Sequence, residues 1–312
     1  MLSSCFKLRR ILIVAMMLCA PVAMNLPPLI GVLSYSKTPS EASCSHYLRA
    51  IKLFTRWLWR NGRCSDDALA IVTVKTVARS ERRHVRRALD VEEYDRLIKA
   101  TEMAPMSCGM SGIDRSMLYA VACATGFRAN ELRTLTVESF HLDADAPCIT
   151  VAAAYSKRRR DDQQPIPTAL VQILKPWLEG REKGSKPFAG LPTHKAAEMF
   201  RLDLKAARAA WLAEAAGQQR ALREKSFFLA AVDASGNVVD FHALRHSYIT
   251  WLVQSGANVK TVQELARHST PVLTFGIYAH MTLADSQKAL AALPGHGLDA
   301  AERMPSMKKN AS

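Results

Sequence analysis

One stretch constrains the fold of this chain more than any other. Residues 149–155 (ITVAAAY) and the residues around Gln164–Thr168 read as two short strands, with the very polar segment SKRRRDDQ between them. Strand, charged tip and strand make a β-hairpin. Elsewhere the legible periodicity is helical. A lone hairpin needs helices against it to be stable. The expected fold class is therefore mainly α with a small antiparallel β-sheet, an α+β arrangement. No internal repeat is visible.

The helices carry their own punctuation. Residues 45–61 are amphipathic, with Tyr47, Ile51, Phe54 and Leu58 at helical spacing and Lys52, Arg56 and Arg60 elsewhere on the wheel. Trp57 reads as core and Trp59 as interface. Asp90 is placed as an N-cap, with Glu92 and Glu93 in the first turn, and a domain boundary is set there. A helix over 114–125 is read as capped by Asp114 and stopped by Gly126, with Leu118, Val121 and Ala122 as its apolar stripe. A long Ala-rich helix covers 195–217, a turn spans Asp233–Asn237, and helices follow over 241–254, 258–267 (N-capped by Asn258) and 283–292.

Composition narrows the function. The 312 residues suggest about two domains. With 49% hydrophobic and 22% charged residues, a disordered chain, a collagen or a coiled-coil rod is excluded. The net charge of +14 calls for a polyanionic partner: DNA, RNA or an acidic membrane surface. Seven cysteines, an odd number without a CxxC, indicate neither a disulfide framework nor a zinc ribbon, but reduced thiols of a cytoplasmic protein. Residues 79–87 (RSERRHVRR) hold five arginines. As a linker in so basic a chain they are candidates for phosphate contact. Residues 1–24 resemble an export signal, with Lys7, Arg9 and Arg10 before the apolar run Ile11–Ala20. The run is short for a membrane span, and Pro21, Pro27 and Pro28 break it. A basic body suited to nucleic acid favours a misannotated start over export, and no stable membrane association is expected.

Four segments could carry chemistry. In Thr125-Gly-Phe-Arg-Ala-Asn-Glu-Leu132 the glycine permits a sharp turn. Arg128 then sits at a helix start and Glu131 on the same face, as either a local ion pair or a phosphate site. Lys157 heads a KRRR cluster at the hairpin tip. His242-Ala-Leu-Arg245-His246 puts His242 and Arg245 on one face. His242 and His246 have zinc-ligand spacing, but the glutamate of an HExxH site is missing, so no metal is assigned. Finally, Ala266-Arg-His268-Ser is followed ten positions after the histidine by Tyr278.

Together and in this order, T-G-x-R-x-x-E-L, a hairpin lysine, H-x-L-R-H and a histidine followed by a tyrosine resemble the tyrosine recombinase (phage integrase) family, over residues 45–295. The resemblance implies a site-specific recombinase that cleaves and rejoins double-stranded DNA through a 3′-phosphotyrosine intermediate. No cofactor or metal is needed. Tyr278 is then the nucleophile. Arg128 and Arg245 clamp the phosphate oxygens, and Lys157 is the general acid. His242 takes the tyrosine proton, His268 bonds the phosphate, and Glu131 braces the network. DNA-binding candidates are Arg79, Arg82, Arg83, Arg86 and Arg87 of the linker and Arg158, Arg159 and Arg160 of the hairpin. The implied organisation is an unassigned leader (1–42), a partial helical core-binding domain (43–80), a basic linker (81–89), the catalytic domain (90–295) and a flexible tail (296–312). It also implies a homotetramer on DNA that exchanges a C-terminal segment, with 283–295 as candidate, and nucleoid association in the cytoplasm. The alternative is a truncated DNA-binding remnant without recombination activity. A departure from the family pattern is that Ala266-Arg267-His268 replaces the usual leucine-glycine-histidine, which is expected to alter the local backbone.

Overall fold

The computed structural model describes residues 41–74, 85–154, 161–272 and 274. The chain divides into two compact units, Met1–His84 and Val85–Ser312, each described by itself. Residues 1–40 of the leader read over 1–42, and the expected helix over 283–292, lie outside the described residues, while residues 41–42 begin the first helix.

In the first unit, α1 (Glu41–Arg60) is the amphipathic helix read from the sequence, begun four residues earlier. It folds against the loop that follows. Thr55 Oγ1 donates to Asp67 Oδ1 at 2.8 Å, Lys52 Nζ donates to the Leu69 carbonyl at 2.7 Å, and Leu58 and Leu69 are buried. Trp57 corrects the expectation of a core residue. It is 47% exposed, and the Arg63 guanidinium lies 5.1 Å over its ring. Tyr47, Phe54 and Trp59 are exposed as well.

The second unit begins before the sequence-placed boundary. The Arg87 amide donates to the Val238 carbonyl, the Leu89 amide donates to Ser247 Oγ at 2.8 Å, and Leu89 is buried. Asp90 is the N-cap of α2 (Val91–Glu102), completing a capping box with Glu93. Next comes α3 (Gly112–Thr125), whose cap is Ser111 rather than Asp114: Ser111 Oγ accepts from the Asp114 amide at 3.0 Å. Asp114 is the third helical residue, an acid where the helix dipole favours one. Leu118, Val121 and Ala122 are buried, as are residues on the other faces, so α3 is the central helix of the core.

After α4 (Ala129–Thr134) come β1 (Phe140–His141), β2 (Cys148–Val151) and β3 (Asp162–Pro165), an antiparallel sheet in the order β1-β2-β3. The hairpin is present, pairing Cys148 with Pro165 and Val151 with Asp162, but its strands end and begin earlier than expected. The inward residues of β3 are Asp162 and Gln164, so the apolar alternation that marks a strand is missing there. The two-residue β1 is too short to show any period. Then follow α5 (Thr168–Leu178), α6 (Ala196–Ala213), α7 (Gly217–Lys225), α8 (Ala243–Gln254) and α9 (Val259–Leu265). The helix expected over 195–217 is α6, which stops four residues early at Ala213, and a separate helix, α7, starts at Gly217, whose φ is +54°.

Candidate active site

Position 126 sets the first part of the site. Gly126 ends α3 at φ +64°, and a Cβ there would stand 2.6 Å from Tyr248 Cδ1. Only glycine fits both the left-handed backbone and the ring above it. The turn places Arg128 at the start of α4, where its amide donates to Glu131 Oε2 at 2.8 Å and its Nη1 to Oε1 at 3.0 Å. The local ion pair is therefore real, and it leaves the Arg128 side chain 31% exposed. Burial by itself would raise the Glu131 carboxyl. The charge of Arg267 and the Arg128 amide outweigh it and hold the group below the ordinary carboxylate range.

Arg245, on α8, joins two turns. It is 4% exposed, and its guanidinium donates to the carbonyls of Gly126 and Ala266. Those carbonyls lie two residues before Arg128 and two before His268. Among the described residues no carboxylate lies within ion-pair distance of Arg245. Desolvation, then Arg128 and Arg267, push its pKa down. A guanidinium starts so high that it stays charged at neutral pH.

His242 precedes α8. Its amide donates to Asp240 Oδ1 at 2.9 Å, and Asp240 is held by Arg86 through bonds of 2.8 and 2.9 Å. His242 is exposed, and partial desolvation of its ring, then the charges of Arg86 and Arg245, move its pKa down. That direction favours the neutral, proton-accepting imidazole. His268 is buried, with Nδ1 2.9 Å from Thr274 Oγ1.

The structure therefore gathers Arg128, Glu131, Arg245 and the turn bearing His268, with His242 at the head of the same helix as Arg245. Lys157, Tyr278, Arg79, Arg82, Arg83, Arg158, Arg159 and Arg160 lie outside the described residues. Arg86 and Arg87, expected as phosphate contacts, are engaged by carboxylates: Arg86 by Asp240, and Arg87 by buried Glu93 at 2.6 and 2.7 Å. Arg267, like Asp240 and Tyr248, received no role from the sequence. Its Nη2 donates to Glu131 Oε2 at 2.5 Å. The signal was the missing glycine after α9.

Comparison with known proteins gives a consistent picture. Residues 87–284 match the model of the phage integrase family. Tyrosine recombinase XerC of Mycobacterium bovis (strain BCG / Pasteur 1173P2) is 28% identical over 236 residues, covering 75% of this chain and 71% of the relative. Tyrosine recombinase XerD of Lacticaseibacillus casei is 26% identical over 246 residues, covering 78% and 74%. Among solved structures, the XerH site-specific recombinase bound to a palindromic difH substrate has a TM-score of 0.54 at 18% identity, covering 81% of this chain and 67% of that one. The Tn1549 transposon integrase in complex with transposon right end DNA also has a TM-score of 0.54, at 14% identity, covering 81% and 79%. The two structures share the fold. No helix of the described residues is long and apolar enough to cross a membrane.

Proposed function

The chain belongs to the phage integrase family and is a site-specific tyrosine recombinase, a DNA strand-cleaving and rejoining enzyme; from that premise we propose that it acts on duplex DNA through a 3′-phosphotyrosine link formed by Tyr278. Arg245 supports this reading most directly. It is a buried cation without a carboxylate partner among the described residues, tied by carbonyls to the turns of Arg128 and His268. A buried charge is unfavourable until a counter-charge arrives. A phosphodiester supplies one, and guanidinium forks match its oxygens. A guanidinium has five N–H donors; the carbonyls of Gly126 and Ala266 use two, which leaves three for the phosphate (5 − 2).

In the proposed reaction the Tyr278 phenol oxygen attacks phosphorus while its proton passes to His242. The bond from phosphorus to the 5′-oxygen breaks, and Lys157 protonates that oxygen. Arg128, Arg245 and His268 hold the charge of the transition state, which preorganised donors stabilise without reorganising. Glu131 keeps Arg128 in place. A 5′-hydroxyl attacking the phosphotyrosine reverses the step without an external energy source. Residues 90–295 form the catalytic domain in this reading and 43–80 part of a core-binding domain, with a cytoplasmic, nucleoid-associated homotetramer as the working assembly.

A pool of singly nicked duplexes of randomised sequence tests the mechanism, because a nick beside the cleaved bond lets the short 5′-hydroxyl strand diffuse away. The full-length chain should form an adduct stable to SDS. Nuclease digestion and mass spectrometry should find the nucleotide remnant on Tyr278. A remnant on another residue, or no adduct, would remove Tyr278 as the nucleophile. Binding to the recovered duplex should also weaken steeply with salt, by about a thousandfold or more between 50 and 200 mM if six or more phosphates are contacted. Fluorescence anisotropy measures this, and a flat response would mean that phosphate contacts do not dominate binding.

A further inference from the structure

α9 ends in a Schellman stop. The His268 amide donates to the Gln263 carbonyl at 3.0 Å and the Arg267 amide to the Glu264 carbonyl at 2.9 Å. The residue between these bonds must be left-handed, the post that glycine fills most readily. Here it is Arg267, at φ +52°. Its side chain turns inward and is 3% exposed, with the guanidinium carbon 4.5 Å over the Phe127 ring. Nη2 donates to Glu131 Oε2 at 2.5 Å, and Nη1 lies 3.9 Å from Asp162 Oδ2. Nε and Nη1 are buried without a hydrogen-bond partner. Left-handed backbone and unpaired buried N–H groups both disfavour arginine at this position.

We propose that Arg267 is a positioning residue for strand cleavage: a guanidinium in place of the glycine at a helix stop, which ties together the three segments that carry His268, Arg128 and the hairpin arm of Lys157. The proposal rests on the reading of Arg128 and Lys157 given above. Its own backbone belongs to the turn before His268. Through Glu131 it reaches Arg128, because the carboxylate that takes Arg267 Nη2 also takes the Arg128 amide and Nη1. Through Asp162 it faces the first residue of β3, the strand paired with β2. Without Arg267, Glu131 is held only from the Arg128 side and can rotate, and Arg128 loses its fixed aim. A displacement of about 1 Å at a reacting centre can cost on the order of 10²-fold in rate. Burial behind Glu131 and Phe127 keeps Arg267 away from the substrate, so its role runs through these neighbours.

Two variants and one cycle test this with the full-length chain. Arg267→Gly restores the residue that the backbone prefers, which offsets part of the cost of the emptied space and of the lost Glu131 pair, so it should still fold, and thermal melting beside the rate separates lost stability from lost positioning. Single-turnover adduct formation at saturating DNA, on a duplex recovered from the nicked pool, should slow by about 10- to 100-fold, with unchanged affinity for DNA. Arg267→Met should be slow to the same degree, but should have no further effect in a Glu131→Gln background. Arg267→Gly at the wild-type rate, or Arg267→Met and Glu131→Gln effects that simply add, would overturn the proposal. If the wild type forms no adduct, the mechanism fails and the positioning contact is decided separately by carbon-detected NMR titration. The Glu131 carboxyl, which faces Arg128 and Arg245 as well, should titrate higher in Arg267→Met than in the wild type. An unmoved titration would show that Arg267 does not hold Glu131.

Discussion

Arg245→Lys is expected to slow single-turnover strand cleavage by about 10²–10³-fold, while DNA affinity at low salt changes little. The substitution keeps one positive charge, so the long-range attraction for phosphate survives. The fork is lost. Arg245 holds the carbonyls of Gly126 and Ala266 together. An ammonium is a point charge with three rotatable donors and cannot span two turns and present a planar face to a phosphate as well. Both the geometry of the site and its complementarity to the transition state therefore suffer. The check is the adduct rate at saturating DNA, with thermal melting beside it to separate lost packing from lost chemistry. A lysine variant as fast as the wild type would mean that charge alone suffices and that the guanidinium geometry is incidental.

Asp203→Ala should destabilise the second unit by about 3–5 kcal/mol. Arg115 is 1% exposed in the first turn of α3, and Asp203 on α6 receives both its Nε at 2.9 Å and its Nη2 at 3.0 Å. The Tyr119 hydroxyl donates to the same carboxylate at 2.6 Å, and Arg115 Nη1 reaches the carbonyls of Pro105 and Met110. Removing the carboxylate leaves a guanidinium buried with no counter-charge, which is worse than having no ion pair at all. For the same reason Arg115→Met with Asp203→Leu should recover most of the lost stability. Urea unfolding checks both, as a fall in the midpoint at constant slope for the single variant and its return in the pair. A single variant as stable as the wild type would place Arg115 in contact with water.

What the sequence disclosed and what it hid divide along the distance a signal travels. Asp90, Gly126 and Asn258 were legible because a cap is settled within three or four residues, and each does what its type predicts. Asp114 was misread as a cap because Ser111 and Asp114 share one motif, in which the hydroxyl caps and the acid follows. The proposed catalytic set was read as a spaced pattern through likeness to a family, not through any one residue. Arg267 was noticed only as a glycine gone missing. Its destination, Glu131, is 136 positions away, and no local rule reaches that far. The polar inner face of β3 was hidden in the same way. Gln164 is buried because its amide donates to the Tyr248 hydroxyl at 3.0 Å, 84 positions on.

The pairing of Gly126 with Tyr248 also restricts the order in which this chain could diverge. Position 126 faces two obstacles, the ring 2.6 Å from any new Cβ and a backbone at φ +64°. Trimming residue 248 lifts the first, and an asparagine, which tolerates left-handed backbone, softens the second. Neither step helps if the larger residue at 126 comes first. A lineage can therefore leave glycine only after it has given up the aromatic ring, so descendants that still carry a tyrosine or phenylalanine at 248 are committed to glycine at 126.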